Sequence, residues 1–361
     1  MKAAVSREVG QISIEVLDDP TPRAGEIAIE LTATGVCHTD LTVLEGNMPS
    51  PRPIVLGHEG AGIVTDVGPG VEGFAVGDKV IGSIIAPCDR CFQCLRGDPA
   101  MCEEIVFFTG CMQDGTTRLS QGEEEIYSLS YQASFAERAV IPAAAAVRVA
   151  PEAPLEKLCG LACGVSTGLG AAMVRADVRA GSSVLVIGAG GVGLSTLMGA
   201  KLRGATMLIA ADVAPAKLAK AQELELATHV IDSGANDVVE AVRALTGGRG
   251  ADYAFDAAGV PGTIEQAIEG IRPGGMAVVI GRSGDIQLEI PTTQILRHKT
   301  VTGTFGGSIH PKRHIPEFVD LYLQGRLDLD RLMDAQYSLD QITTALDDLR
   351  HGRVTRGVIV F

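Results

Sequence analysis

Up to about residue 160, the chain carries short stretches in which apolar and polar residues alternate, interrupted by glycine and proline. An alternation of period two is typical of strands with one buried face. The frequent turn residues between these stretches favour a mostly antiparallel β domain. The predicted strands are 12–16, 26–31, 62–68 and 78–82.

From about residue 166 the pattern changes to short apolar runs that alternate with helical stretches. This alternation predicts a parallel sheet covered by helices, so the fold class is α/β with a doubly wound parallel sheet beside the β domain. The predicted strands are 184–187, 207–211, 229–232, 253–256 and 276–280, and the clearest helices are 194–202 and 214–226. Beyond about residue 305, the pattern predicts helical stretches at 315–323 and 342–349 and a closing strand at 358–361.

Length and charge narrow the class of protein. The 361 residues fit two domains at about 150 residues each. A formal net charge of −14 argues against nucleic acid as a partner, because basic clusters bind phosphate backbones. The uncharged stretch 180–200 is rich in glycine, which favours a buried strand, turn and helix over a membrane span. The first residues lack an apolar signal region, so we expect a cytoplasmic protein.

Four of the eight cysteines have the spacing C-x2-C-x2-C-x7-C, namely Cys88, Cys91, Cys94 and Cys102. Gaps of two residues turn successive thiolates toward one ion, and four thiolates form a closed, structural zinc site. The alternatives are an iron–sulfur cluster, two disulfides or four unrelated buried cysteines. The seven-residue gap differs from the ferredoxin pattern, and a reducing compartment disfavours disulfides.

A second, dispersed set includes Cys37 and His58. Catalytic zinc keeps three protein ligands and one open position, and a Cys2His set is a known arrangement. One of the later cysteines would complete it, and Asp40 or Glu59 would supply the carboxylate that orients a ligand. The alternative is that these are ordinary buried side chains.

A glycine motif, Gly188, Gly190, Gly191 and Gly193, follows a predicted strand and precedes a helix. Small residues allow a tight turn and close backbone approach to a pyrophosphate at the helix N-terminus. Asp212 ends the next strand, where a carboxylate binds ribose hydroxyls and repels a 2′-phosphate. The pattern therefore predicts NAD rather than NADP, with FAD or an S-adenosyl cofactor as alternatives.

Three motifs together resemble the zinc-dependent, medium-chain alcohol dehydrogenases. They are the run from Gly57-His58-Glu59 through Gly62 to Gly68 and Val71, the four-cysteine lobe, and Cys163-Gly164-Val165-Ser166-Thr167-Gly168. Quinone reductases of the same superfamily lack the lobe and the zinc ligands. The resemblance implies a GroES-like catalytic domain, residues 1–164 with 305–361, and a Rossmann domain, residues 165–304.

The resemblance also implies two zinc ions per chain and a role for individual residues. Cys37, His58 and Cys163 would hold the catalytic ion, with Asp40 on the histidine and Glu59 able to approach the ion. The implied coenzyme contacts are His38 and Arg356 on the pyrophosphate, Thr167 and Val192 on the nicotinamide, and Lys217 on the ribose.

The implied reaction is the reversible oxidation of a primary alcohol to an aldehyde. Zinc would lower the pKa of the alcohol, hydride would pass to C4 of the nicotinamide of NAD, and Thr39 would relay the proton. Thr42 stands where horse-liver-type members have a relay histidine. The segment 114–129 resembles a loop of dimeric members, which implies a homodimer.

Apolar residues at Val106, Phe107 and Phe108 favour an aryl, allylic or longer alkyl alcohol. Ile84, Phe107 and Leu129 are the predicted substrate-pocket residues, and the alternative is that they belong to the core. One alternative function is S-(hydroxymethyl)glutathione (glutathione-dependent formaldehyde) dehydrogenase, whose carboxylate-binding arginine position is occupied by Val106. A further alternative is a non-catalytic NAD- or zinc-binding protein on the same fold.

Overall fold

A computed structural model describes residues 1–282, 284 and 287–361. The chain forms two compact units, one of Met1–Gly164 with His310–Phe361 and one of Val165–Ile309. The first unit therefore combines both ends of the chain. The chain returns to the first unit at His310 rather than at residue 305. Residues up to Ile309 stay in the second unit because Gly307 packs there, so closely that a Cβ on Gly307 would lie 2.6 Å from the carbonyl oxygen of Ser166.

The N-terminal part of the first unit is built mainly from strands. They are β1 (Lys2–Ser6), β2 (Ser13–Val16), β3 (Glu26–Gly35), β4 (Ile54–Val55), β5 (Gly60–Val67), β6 (Lys79–Gly82), β7 (Leu119–Gln121), β8 (Glu124–Ser128), β9 (Arg138–Pro142) and β10 (Ala146–Arg148). The α-helices between them are short: α1 (His38–Leu44), α2 (Phe92–Leu95) and α3 (Leu155–Leu158).

The second unit alternates helices and strands. Its elements are α4 (Gly164–Gly170, beginning at the boundary), β11 (Ser183–Ile187), α5 (Gly191–Leu202), β12 (Met207–Asp212), α6 (Pro215–Glu223), β13 (His229–Asp232), α7 (Val238–Leu245), β14 (Ala251–Asp256), α8 (Pro261–Gly270), β15 (Ile271–Val279), α9 (Thr292–Leu296) and β16 (Thr300–Gly303). The chain then completes the first unit with α10 (Pro311–Leu323), β17 (Ala335–Tyr337), α11 (Ile342–Arg350) and β18 (Gly357–Val360).

Two sheets form the first unit. One has the order β2-β1-β4-β8-β7, and the other has the order β10-β6-β5-β3-β18-β17 with β9 also paired to β3. Most neighbours are antiparallel, as the alternating pattern predicts. The central strand β3 is long and mostly buried, and it leads directly to the first residue of the dispersed ligand set, Cys37.

The second unit contains a parallel sheet of order β13-β12-β11-β14-β15-β16. Residues 184–187 of β11 are fully buried, as expected for a strand covered on both faces. In this order the strand sequence reverses between β11 and β14, so the topological switch point, where open α/β sheets bind ligands, lies at the carboxyl ends of these two strands. The fold class is the α/β class that the sequence predicts.

In the described part of the chain, no single helix is long and apolar enough to cross a membrane, although one bent helix pair meets the length and composition criteria. The glycine-rich uncharged stretch forms β11 and α5, as predicted.

Candidate zinc and coenzyme sites

The four cysteines at 88–102 converge on one point. The sulfur atoms of these residues all lie within 4.8 Å of one another; the residues are Cys88, Cys91, Cys94 and Cys102. Their backbone amides face neighbouring sulfurs, at 3.3 Å from Cys91 N to the sulfur of Cys88 and 3.5 Å from Cys94 N to that of Cys91. Backbone amides of Glu103 and Cys94 lower the pKa of Cys91 to about 6. The backbone amides thus favour the thiolate of Cys91, the form that binds zinc, whereas burial raises the pKa of Cys94 and of Cys102.

The dispersed set also assembles. Ligand atoms of Cys37, His58, Glu59 and Cys163 all lie within 4.8 Å of one another. His58 and Glu59 are fully buried, and Cys163 is 9% exposed. The contact with the thiol of Cys163, together with nearby positive charge, holds the pKa of Cys37 well below its ordinary value. Among the later cysteines, the structure brings Cys163 to this set.

Asp40 fixes the orientation of His58. Its carboxylate accepts hydrogen bonds from the backbone amides of Cys37 and Gly57, each at 3.0 Å, and lies 3.0 Å from Nδ1 of His58. A proton on Nδ1, donated to this carboxylate, leaves Nε2 with a free lone pair. Asp40 thus positions two of the candidate ligands.

The donor set fits a zinc ion. Nε2 of His58 is buried and has no hydrogen-bond partner among the residues that the structure describes. A buried polar atom without a partner is costly, and a metal ion at this position would satisfy it. Two thiols and one imidazole are the Cys2His set that leaves an open position on zinc.

Glu59 forms a buried ion pair with Arg356, which the sequence did not predict. Both carboxylate oxygens contact Nη2 of Arg356, and the side chains are 0% and 5% exposed. The amide of Gly164 donates to Glu59 at 2.9 Å. A Cβ at Gly35 would lie 2.0 Å from Oε2 of Glu59, and a Cβ at Gly164 would lie 2.0 Å from Nη1 of Arg356, so a larger residue at either position would displace this pair. No motif in the sequence connects these residues, so only the fold could reveal the pair.

Arg356 thus lies on Glu59, and its Nε has no hydrogen-bond partner in the described part of the chain. Its predicted contact with the coenzyme pyrophosphate stays a prediction, as does that of His38, which is exposed at the first position of α1.

Thr39 follows His38 on the first turn of α1, with its hydroxyl 3.9 Å from the sulfur of Cys37. The predicted relay hydroxyl is therefore adjacent to the candidate ligand set.

Of the predicted pocket residues, Phe107 contacts the ligand His58, and the amide of Ile84 donates to the carbonyl of Ala162, next to Cys163. The ring of Phe107 meets the ring of His58 edge-on with centroids 6.1 Å apart, and Phe108 stacks edge-on to it at 4.2 Å. Leu129 is buried in a core cluster with β1 and α1 side chains, and the carbonyl of the buried Ile84 accepts the hydroxyl of Tyr131. Leu129 thus belongs to a core cluster, and the pocket role of all three residues stays a prediction.

The glycine motif forms the turn between β11 and α5. Gly188 has φ +96°, and a Cβ on Gly193 would lie 1.8 Å from the carbonyl oxygen of Gly188. Gly190 is the N-cap of α5, which begins at Gly191, and a Cβ on Gly190 would meet open space. The motif therefore exposes the helix N-terminus to a ligand, as phosphate binding requires.

Asp212 closes this loop from the neighbouring strand. Its Oδ2 accepts the amide of Ala189 at 2.8 Å, and its Oδ1 accepts the amide of Ala214 at 2.9 Å. Nζ of Lys217 lies 4.0 Å from the same carboxylate. The predicted ribose-binding acid and lysine are thus held together beside the motif.

Thr167 and Val192 lie on α4 and α5, where these helices approach closely. A Cβ on Gly168 would lie 2.4 Å from the carbonyl oxygen of Val192.

Asp256, at the end of β14, is a further residue that the sequence did not indicate. It is fully buried, burial raises its pKa, and it accepts the amide of Gly259 in the loop that packs on Gly188.

Comparison with known proteins identifies the family. Residues 23–151 match the family model described as alcohol dehydrogenase GroES-like domain, and residues 191–324 match that described as zinc-binding dehydrogenase. An NDMA-dependent alcohol dehydrogenase of Amycolatopsis methanolica is 37% identical over 99% of this chain and 98% of its own. An alcohol dehydrogenase class-3 of Myxine glutinosa is 37% identical over 99% of this chain and 97% of its own.

Solved structures agree with this result. An alcohol dehydrogenase zinc-binding domain protein from Burkholderia ambifaria is 40% identical with a TM-score of 0.94, covering 100% of this chain and 98% of its own. Benzyl alcohol dehydrogenase from Acinetobacter calcoaceticus is 35% identical with a TM-score of 0.94, covering 100% and 99%. The chain belongs to the zinc-dependent medium-chain alcohol dehydrogenase family, whose members use zinc and a nicotinamide coenzyme.

Proposed function

We propose that this protein oxidises primary alcohols with apolar substituents (aryl, allylic or medium-chain) reversibly to aldehydes with NAD. The observation that carries the proposal is the convergence of Cys37, His58 and Cys163, with Nε2 of the buried His58 unsatisfied among the described residues and the hydroxyl of Thr39 beside the set. A sensor or structural protein has no need of an open metal position next to a proton-relaying hydroxyl. Zinc held by these residues would supply a Lewis acid, and bound NAD would supply a hydride acceptor.

The chain's own residues orient the reactants and move the proton. Thr39 takes the alcohol proton and passes it on, because its hydroxyl both accepts and donates. Asp40 keeps the lone pair of His58 directed at the ligand set. Thr42, whose hydroxyl donates to the carbonyl of His38, stands in place of the relay histidine, so either water completes the proton release or the coupled proton step is slower.

An apolar substrate fits the wall formed by Phe107 and Phe108. The ring of Phe107 is 7% exposed and lies against His58, so a flat or extended apolar group next to the ligand set would contact an apolar surface. The benzyl alcohol dehydrogenase of Acinetobacter calcoaceticus supports this substrate class, since it is similar over the whole chain.

A second candidate is S-(hydroxymethyl)glutathione dehydrogenase, favoured by the similarity to class-3 enzymes and to the Paracoccus denitrificans enzyme of that name. Val106, which is partly buried against an apolar cluster, weakens this second candidate, because this residue offers no cation for a glutathione carboxylate.

We also propose a homodimer, on the resemblance of segment 114–129 to dimeric members. Light scattering of the purified protein would test this.

The function is tested by NADH formation with a panel from ethanol through hexanol to benzyl, cinnamyl and geranyl alcohols. Formaldehyde with glutathione is the other arm of the panel. We expect the highest kcat/KM with an aryl or allylic alcohol. Faster turnover of the glutathione adduct would establish the second candidate, and no turnover of any substrate by zinc-loaded protein would refute both.

Replacing Thr39 by alanine should lower kcat by about 10²–10³-fold at neutral pH, because the alcohol proton loses its acceptor. Thr39→Ser retains the hydroxyl and should recover activity to within about tenfold of the parent. Zinc content should stay at two per chain in both variants. Steady-state kinetics with metal analysis would check this, and equal losses in both variants would contradict the relay role.

Replacing Asp212 by asparagine should shift the ratio of kcat/KM for NADP over NAD upward by about 30-fold, because the carboxylate that repels a 2′-phosphate loses its charge. The side-chain oxygen of asparagine can still accept one of the two backbone amides. Asp232→Asn, at the end of the neighbouring strand β13, is the matched control and should leave the ratio unchanged. An unchanged ratio in Asp212→Asn would show that coenzyme choice depends on other residues.

A further inference from the structure

A cavity of about 620 Å³ lies in the second unit, away from the glycine motif. It is lined by residues that precede β14, begin β15 and precede β16. These are the amino ends of the strands, whereas Gly188 and Asp212 follow or end strands at the carboxyl edge. Because the sheet is parallel, the two edges are opposite, and the cavity is separate from the predicted coenzyme site.

The cavity concentrates positive charge in an acidic protein. Among its described lining residues, five are basic and one, Glu269, is acidic, while the chain as a whole carries a net charge of −14. In the described part of the chain, the guanidinium groups of Arg243, Arg249 and Arg297 form neither a hydrogen bond nor an ion pair. These like charges oppose one another unless an anion lies between them.

The other two basic residues are held in place. Lys299 is 8% exposed, and its ammonium donates to the carbonyls of Ile268 at 2.7 Å and Glu269 at 3.3 Å, at the end of α8. An ammonium has three donors, so one remains for a ligand. Arg272 donates from Nε to Asp252 at 2.6 Å and from Nη1 to the carbonyl of Pro273 at 2.8 Å. The cavity therefore combines two basic side chains that are held in place with three arginines whose side chains can move to contact a ligand.

We propose that this cavity binds a small, multiply charged anion that carries phosphate groups. One guanidinium group can donate two parallel hydrogen bonds to two oxygens of a phosphate. Several guanidinium groups in one cavity therefore favour a ligand with two anionic groups. A volume of about 620 Å³ accommodates a small metabolite. The shared chemistry is the diphosphate group, free or as part of a nucleotide.

Binding should take up a proton near Lys299. Burial lowers the pKa of Lys299 to about 8, with further effects from Arg243 on α7, Glu269 on α8 and Arg297 beyond α9. A bound anion stabilises the ammonium and raises this pKa again, so part of the population gains a proton on binding. Proton uptake is therefore expected at a pH close to 8 and should disappear well below it, where Lys299 is already charged.

The test is calorimetric titration of the zinc-loaded protein with inorganic pyrophosphate, carried out with the coenzyme site saturated by NADH. ADP and citrate form parallel arms, and sulfate at equal ionic strength controls for screening. We expect saturable binding of about one pyrophosphate per chain, tighter than sulfate by at least about tenfold. Buffers of different ionisation enthalpy measure the proton uptake. Tighter binding of ADP than of pyrophosphate would identify a nucleotide, and tighter binding of citrate would refute the phosphate class.

The double variant Arg243→Gln with Arg297→Gln should weaken pyrophosphate binding by at least about tenfold. Both side chains are exposed, and their loss relieves repulsion, so the melting temperature should not fall. Arg179→Gln with Arg326→Gln removes the same charge outside the cavity and should bind as the parent does. Absence of saturable binding, or equal binding by both double variants, would overturn the proposal. So would a change of oligomeric state in the cavity variant without any anion binding, which would assign these arginines to a protein interface.

Discussion

Replacing Cys37 by alanine is expected to reduce kcat/KM for alcohol oxidation by about 10⁴-fold or more. The remaining His58 and Cys163 are too few protein ligands to hold a catalytic zinc ion, and loss of the Lewis acid removes roughly 5 kcal/mol of transition-state stabilisation. Asp40 would still position His58, so the surrounding fold should be preserved. Most of the predicted NAD contacts lie in the second unit, so NAD binding should change less than about threefold.

This expectation is checked by metal analysis together with kinetics. The variant should contain one zinc ion per chain instead of two. Cys111→Ser is the matched control, because Cys111 lies outside both cysteine groups, and it should keep two zinc ions and full activity. A Cys37→Ala protein that retained two zinc ions, or that still oxidised alcohols at the parent rate, would disprove the assignment of the catalytic site.

Replacing Cys94 by serine should instead destabilise the protein. The lobe has little apolar core of its own, since Phe92, Leu95 and Met101 are 64%, 74% and 50% exposed. The ion must therefore supply most of the energy that folds residues 88–102, as in other small zinc-organised loops. We expect loss of one zinc ion and a melting temperature lower by about 5–10 °C, which corresponds to roughly 2–4 kcal/mol.

Calorimetry and limited proteolysis would test this second expectation. Cleavage should become faster within 88–102, while the zinc ion at Cys37, His58 and Cys163 should remain. Cys111→Ser again serves as the control and should melt as the parent does. Unchanged zinc content and melting temperature in Cys94→Ser would show that the lobe folds without metal.

Sequence periodicity predicted the second unit best. Strand 229–232 has the predicted bounds, and β11 and β12 each extend the predicted strand by one residue. Strands of the first unit with no clear alternation were missed. In β1, residues 3–6 are all buried, so the sequence shows no polar face. Two-residue β4 is too short to give any periodic signal.

The sites were predictable to different degrees for physical reasons. Thiolates that share an ion within one short loop have a fixed spacing, so Cys88 to Cys102 could be recognised from the sequence. Cys37, His58 and Cys163 are brought together by long-range strand pairing, and residue types alone left the third ligand open. The Glu59–Arg356 pair joins residues almost 300 positions apart, which no local pattern can reveal.

The pairing of β18 with β3 has a consequence for biosynthesis. Val358 lies opposite Gly35 and Val360 opposite Ala33, and Arg356 immediately precedes this strand. At a translation rate of about 5–20 residues per second, the partner of β3 leaves the ribosome roughly 15–60 s after β3 itself. During that interval the catalytic half of the chain exposes an unpaired strand edge and an uncompensated Glu59. The nascent chain is therefore most vulnerable to aggregation, and most in need of a chaperone, before its last residues are made.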